Sequence, residues 1–334
     1  MPDYVYLDTN AFWNMKPEHP QHDQEFAATV RRLQRRYRFP FSEAHFLDTA
    51  SGDLLGSESY IERDLTFLAE ASQGQAIALD DDERRPPEEV HPVLGPMPGN
   101  GLPWIVHRDY RLNEVADLYR CMPQDASTQP SFLVIGSSHQ VDLSQIPDHH
   151  PMKPLLEKAG GVFTSEVLKK YIDILWAGRD APNVYKEFRK SVEEACQSIG
   201  SEGRLLTPEA AERFAPLREL MAAETTEEIT LKLGSAAETL AFLAGQKFND
   251  LPWPARLVNS YHLLAFHTDM WEKINKDNRP PNMRYDAKHL IYAAGAKHLV
   301  THDKRFAAKA KVVFSAFGIK TKVSDLSKFK TLFS

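Results

Sequence analysis

Residues 4–10 read YVYLDTN. Tyr4, Val5, Tyr6 and Leu7 favour a short buried strand, and Asp8, Thr9 and Asn10 end it, because aspartate and asparagine favour turns. Residues 299–306 read LVTHDKRF and repeat the pattern, with a strand over His298–Thr301 and Asp303 just beyond it. In an open α/β sheet, ligands bind in the crevice outside the carboxyl ends of the strands. Aspartates at two such ends, one from each end of the chain, predict that both termini build a single α/β core with one acidic crevice.

Outward from the first strand, Phe26, Val30 and Leu33 recur at helical spacing and predict a helix over Asp23–Arg36, with Arg31, Arg32, Arg35 and Arg36 on its other faces. A second strand is expected over Tyr37–Phe41. Ser42 is a good N-cap for a helix carrying Ala44, Phe46, Leu47 and Ala50, and a further helix is expected over Glu58–Ala71. The Pro-, Gly- and acid-rich stretch Asp80–Pro103 reads as loop or linker. A strand is expected over Phe132–Gly136, and helices over Ser165–Trp176, Val184–Ile199, Pro208–Ala223, Glu227–Phe248 and Ala255–Asn275. Thr207 and Pro208 suit a helix cap and first turn. The end of the chain returns to alternation: helix Met283–Gly295, strand His298–Thr301, helix Lys304–Phe317 stopped by Gly318, strand Ile319–Val323. No fixed-period repeat occurs. The organisation expected is an α/β core formed by residues 1–72 and 252–334, interrupted by a mostly α-helical insertion over 73–251.

Four acids suit one crevice. Asp8 and Asp303 follow strands, and Asp48 and Asp286 sit on predicted helices. His45 and Asp48 share a helix face at three-residue spacing, as do Asp286 and His289. Bare carboxylates gathered together repel one another. Hard divalent cations such as Mg2+ or Mn2+, which take oxygen ligands, would offset that repulsion. A zinc hydrolase is a poor reading, since neither HExxH nor a Cys/His cluster is present.

The chain has 334 residues, 42% of them hydrophobic and 26% charged, the balance of an ordinary globular protein with a real core. No run of about 18 apolar residues suggests a membrane span, and the start lacks the regions of a signal peptide. Cys121 and Cys196 support no disulfide framework. A cytoplasmic protein with both thiols reduced is expected, with no membrane partner. Net charge is −6, but it is unevenly spread. Residues 283–334 hold eleven Lys or Arg against three Asp or Glu, residues 1–48 hold six against seven, and the middle carries −13. Such asymmetry suggests two electrostatic faces, with nucleic acid expected to favour the basic tail and the Arg31–Arg38 segment. Solvated helix surfaces of unlike charge would give the same counts.

The segments YVYLDTN (4–10), FSEAHFLD (41–48), YDAKHLIYAA (285–294) and LVTHDKRF (299–306) resemble, in their usual order, the four acidic motifs of PIN-domain nucleases. The tail FGIKTKVSDLSKF (317–329) is similar to that family's last strand and helix. The resemblance covers about residues 1–72 and 252–334, and the intervening segment of about 180 residues matches nothing in it. It implies a PIN-like parallel sheet flanked by helices. It also implies metal-assisted hydrolysis of a phosphodiester, RNA more than DNA, with Mg2+ or Mn2+ as cofactor. The catalytic and metal-binding positions would be Asp8, Asp48, Asp286 and Asp303: Asp8, Asp48 and Asp303 on the principal ion, Asp286 bound through water or holding a second ion. Asn10 and Thr301 match polar companions that orient the first and last acids, and Ser42 matches a small polar residue before the second. His45 would orient the Asp48 carboxylate or touch the scissile phosphate; its bland alternative is a packed or surface helix histidine. His289 and His302 are weaker candidates of the same kind, and Lys304 and Arg305 could hold backbone phosphate near the site or be solvated charges. The chain departs from the family in its insertion and in Asp rather than Glu at position 48, which shortens that ligand's reach. Small members resemble toxins held off by an antitoxin, and large ones suit bacterial defence or RNA processing. The insertion could gate the crevice, bind a protein partner or form a homo-oligomer.

Two other classes stay open at this point. A nucleic-acid-binding module would use the same basic segments without cleavage. An Asp-dependent phosphohydrolase would use Asp8 as nucleophile, but such enzymes carry a second Asp two residues on, where this chain has Asn10.

Overall fold

The computed structural model describes residues 3–51, 58–79, 89–91, 95–97, 105–109, 139–140, 143–145, 153–163, 190, 208–243, 247–270 and 280–334. The fold is mixed α/β and mostly helical, with a small parallel sheet of three strands flanked by helices. Contacts divide the chain into two compact units, one formed by Met1–Ala126 with Arg284–Ser334 and the other by Ser127–Met283.

The sheet of the first unit is built from both ends of the chain. Strand β1 (Val5–Leu7) pairs in parallel with β8 (His298–Val300), and β8 pairs in parallel with β9 (Lys322–Ser324), the order being β1-β8-β9. Every residue of β1 and β8 is buried, as expected of parallel strands covered on both faces. Helix α1 (Thr9–Asn14) starts directly after β1. Thus the DTN run ends β1 as expected and also starts a helix: Asp8 accepts from the Ala11 backbone N–H and supplies the cap. Helices α2 (Gln24–Leu33), α3 (Glu43–Ser51) and α4 (Glu58–Ser72) follow. The second strand expected over 37–41 is fragmentary. Arg38 bridges to Tyr4 beside β1, and Phe41 bridges to Ala76 in β2 (Gln75–Leu79), both in parallel.

Three further strands belong to this unit: β3 (Glu89–His91), β4 (Gly95–Met97) and β5 (Ile105–Asp109). Strand β2 pairs antiparallel with β5, and β3 with β4. The first unit therefore extends past residue 72, to 126, because β5 pairs with the strand that Phe41 bridges. Where loop was expected, residues 89–91 and 95–97 are paired.

The second unit contains β6 (His139–Gln140) paired antiparallel with β7 (Val162–Phe163), with α5 (Lys153–Lys158) between them. It also contains α6 (Pro208–Met221), α7 (Thr226–Leu243) and α8 (Trp253–Leu263), α7 packing on both α6 and α8. That packing keeps residues 252–283 in the second unit, although the sequence reading assigned them to the core. The helix expected to run from 255 past 270 instead stops at Leu263 and gives way to short 3-10 turns at 264–266 and 268–270. The elements expected at 132–136, 165–176 and 184–199 lie outside the described residues, residue 190 excepted. Among the described residues no helix is long and apolar enough to cross a membrane.

Helix α9 (Pro280–Ala293), β8, helix α10 (Lys304–Ala316), β9 and helix α11 (Leu326–Leu332) complete the chain. The Gly318 stop is built as expected. Gly318 has φ of +64°, its N–H reaches the Ser315 carbonyl at 3.1 Å, and the Ile319 N–H reaches that of Phe314 at 2.8 Å, the paired bonds of a Schellman end. The core beneath the sheet joins Val5, Leu7 and Val300 to Phe26, Phe41 and Phe329.

Candidate functional site

The carboxyl ends of β1 and β8 are adjacent, and one hydroxyl joins them. Thr301 follows β8 and is buried. Its Oγ1 donates to Asp8 Oδ2 and accepts from the Asp303 backbone N–H at 2.9 Å. The other Asp8 oxygen accepts from the Ala11 N–H at 2.7 Å. Asp303 caps α10, its Oδ1 accepting from the N–H groups of Arg305 and Phe306 at 2.7 and 2.9 Å. Both acids therefore sit at helix N-termini, where the helix dipole favours negative charge.

Asp48 reaches this region from α3. Its Oδ2 lies 2.9 Å from Nε2 of His289, on α9. The same nitrogen lies 3.1 Å from Thr9 Oγ1, one residue from Asp8. Asp286 stands one turn before His289 on α9 and is half-buried. A second tie between α3 and α9 comes from Glu43, which accepts from Lys288 Nζ at 2.6 Å and from the Tyr292 hydroxyl at 3.1 Å.

Burial dominates the electrostatics. It pushes the Asp8 carboxyl up to about 6; the Thr301 and Ala11 hydrogen bonds and His289 oppose the rise, and the Asp48 charge adds to it. Burial also holds His45 well below the usual imidazole range, with His289 adding to the effect. Neutral His45 has a defined tautomer. Nδ1 accepts from the Ser42 backbone N–H at 3.0 Å, so Nε2 carries the proton and donates to the Leu7 carbonyl at 2.9 Å.

These positions sort the sequence candidates. Asp8, Thr301 and Asp303 are brought together directly, and Asp48 is joined to them through His289 and Thr9. Ser42 and His45 lie behind the acids rather than among them: His45 braces the last residue of β1 and packs edge-on to His289, with ring centroids 4.8 Å apart. Asn10 is not brought in. It is exposed on α1, and among the described residues its side chain bonds no acid. Thr9 has its inward position instead. His302 and Lys304 are exposed beside Asp303, and Arg305 is half-buried.

Sequence reasoning passed over Thr9 and Tyr6 and undervalued His289. Reading Asp8 as a helix cap would have turned Thr9 inward, and Tyr6 lies two residues before Asp8, on the same face of the strand. Nothing in the sequence distinguished buried His289 from a surface histidine.

A hard divalent cation suits the donor set in kind: four carboxylates, no thiolate, and one buried acid short of compensating positive charge. The grouping is less complete. Among the described residues no three His, Cys, Asp or Glu side chains are gathered around one point. The hydrogen bonds account for this, since Asp8 uses both oxygens, Asp48 turns one to His289 and Asp303 turns one to its helix. Compared with protein-family models, with curated proteins and with solved structures, the chain matches none.

Proposed function

We propose that this chain is a Mg2+- or Mn2+-dependent nuclease of the PIN-like type, an endoribonuclease acting in the cytoplasm. The observation that carries the reading is the Thr301 hydroxyl, which ties the acid after β1 to the acid after β8 at the carboxyl edge of a parallel sheet. Asp8 and Asp303 cap helices and share the Thr301 hydroxyl, and Asp48 meets a histidine.

Asp8, Asp48 and Asp303 would hold the cation, with Asp286 contributing through water or to a second ion. Bound there, the cation would make hydroxide available near neutral pH and offset charge on the leaving oxygen. The chain's own residues do the rest. Thr301 fixes the Asp8 carboxylate. The α1 and α10 N-termini favour the charged form of the acids that cap them. Lys304 and Arg305, directly after Asp303, would hold backbone phosphate.

The test is a cleavage panel of single- and double-stranded RNA and DNA with Mg2+, Mn2+ or EDTA, comparing wild type with Asp8→Asn and Asp303→Asn. Wild type should cut single-stranded RNA only with metal, and both variants should fold yet fall to background. Metal should raise the melting temperature of wild type more than that of either variant. Equal cleavage and equal metal shifts in all three would sink the assignment. One observation favours a second reading, a nucleic-acid-binding module: no three acids are gathered among the described residues. RNA binding without cleavage, indifferent to metal, would establish that instead.

A further inference from the structure

Behind the acids runs a buried hydrogen-bonded chain that the proposed chemistry has not used. The Tyr6 hydroxyl lies 2.7 Å from Ser42 Oγ and 2.7 Å from His289 Nδ1, and His289 Nε2 lies 2.9 Å from Asp48 Oδ2. Tyr6, Ser42 and His289 are each no more than 1% exposed, so the links among these three are shielded from water. A carboxylate only accepts, so Nε2 of His289 is the donor to Asp48. Tyr6 bridges Nδ1 of the same ring and the Ser42 hydroxyl. That hydroxyl also lies 3.2 Å from Nδ1 of His45, which accepts from the Ser42 backbone N–H. The His289 ring is thus held on the side facing away from Asp48.

We propose that His289 is a positioning residue for Asp48: held by Tyr6 and Ser42, it fixes the Asp48 carboxylate toward Thr9 and the Asp8 side of the site. The proposal rests on the acid-site reading. Aspartate at position 48 is a short ligand on a side chain that is one-quarter exposed, whereas His289 is almost wholly enclosed. A short acid at a half-open position gains a fixed direction from a rigid buried donor. The bond from Nε2 to Thr9 extends that direction to the residue beside Asp8.

The experiment measures Mn2+ affinity by calorimetry on the full chain, well below its melting temperature, beside RNA cleavage. His289→Leu should weaken Mn2+ binding by about tenfold or more, as losses around metal ligands do. His289→Gln, which keeps an N–H near the position of Nε2, should recover most of it. Tyr6→Phe removes only one hydroxyl and should give an intermediate loss, which keeps the test open if the Leu variant fails to fold. Ring 15N shifts of His289 should report the Nε2-protonated tautomer in wild type. If Asp8→Asn loses Mn2+ while the His289 and Tyr6 variants bind it like wild type, the positioning role falls and the acid site stands. If wild type and Asp8→Asn bind Mn2+ alike, the acid site falls and this role falls with it.

Discussion

Asp8 is the residue whose charge state matters most. Its carboxyl, pushed up to about 6 mainly by burial, is protonated in the folded chain at a pH where the unfolded chain has already released the proton, near 4. Between those values the folded state binds more protons than the unfolded one, so stability falls as pH rises. The raised value corresponds to about 3 kcal/mol of stability present below pH 4 and lost by pH 7. Asn can still cap α1 and face Thr301 but carries no charge. Metal-free Asp8→Asn should therefore match wild type near pH 4 and exceed it by up to about that amount at pH 7.5. Urea unfolding in EDTA at the two pH values measures this, and a gap that does not change with pH would contradict it.

At the scale of elements, α9 decides the site, because it carries Asp286 and His289 and meets α3 through Glu43. At its far end the Tyr4 hydroxyl donates to the Tyr292 carbonyl at 2.6 Å, and Thr321 reaches the carbonyls that follow. Thr321 Oγ1 lies 3.1, 2.9 and 2.8 Å from the carbonyls of Ala293, Ala294 and Ala296, at and just past the end of the helix. Thr321→Val keeps the shape and removes the donor, so it should cost about 1–2 kcal/mol. Mn2+ affinity should change little, since His289 lies a full turn away from that end. Denaturation midpoints test the first expectation. An unchanged midpoint would show that Thr321 does not secure the helix.

At the scale of the whole molecule, charge and site do not coincide as the sequence suggested. Arg38 pairs with Tyr4 just before β1, whereas Asp8 follows it. Lys297 and Lys322 likewise lie at the starts of β8 and β9. These cations sit at the amino edge of the sheet and the acids at its carboxyl edge. On the proposed reading, a short RNA should depend on Lys304 and Arg305. Lys304→Ala with Arg305→Ala should weaken binding and reduce its salt dependence. Alanine at Arg31, Arg32, Arg35 and Arg36 should leave a short oligonucleotide unaffected. Filter binding across a salt series separates the two variants, and the opposite ranking would move the footprint to the α2 side.

The residues themselves determined strands β1 and β8 and brought the two chain ends into one sheet, because buried apolar runs followed by aspartate are local patterns. The Gly318 stop was legible for the same reason: a positive φ favours glycine wherever the helix lies. Boundaries were less legible. Residues 252–283 looked like core but fall in the second unit, where α8 packs on α7, and residues 73–126 looked like insertion but fall in the unit that holds the sheet, since partner choice depends on surfaces far apart in sequence. The inward turn of Thr9, the outward turn of Asn10 and the hydrogen-bonded chain from Ser42 to Asp48 came only from tertiary structure. A hydroxyl or imidazole has the same composition inside or outside, and only the packing of α3 and α9 around β1 buried Tyr6 and His289.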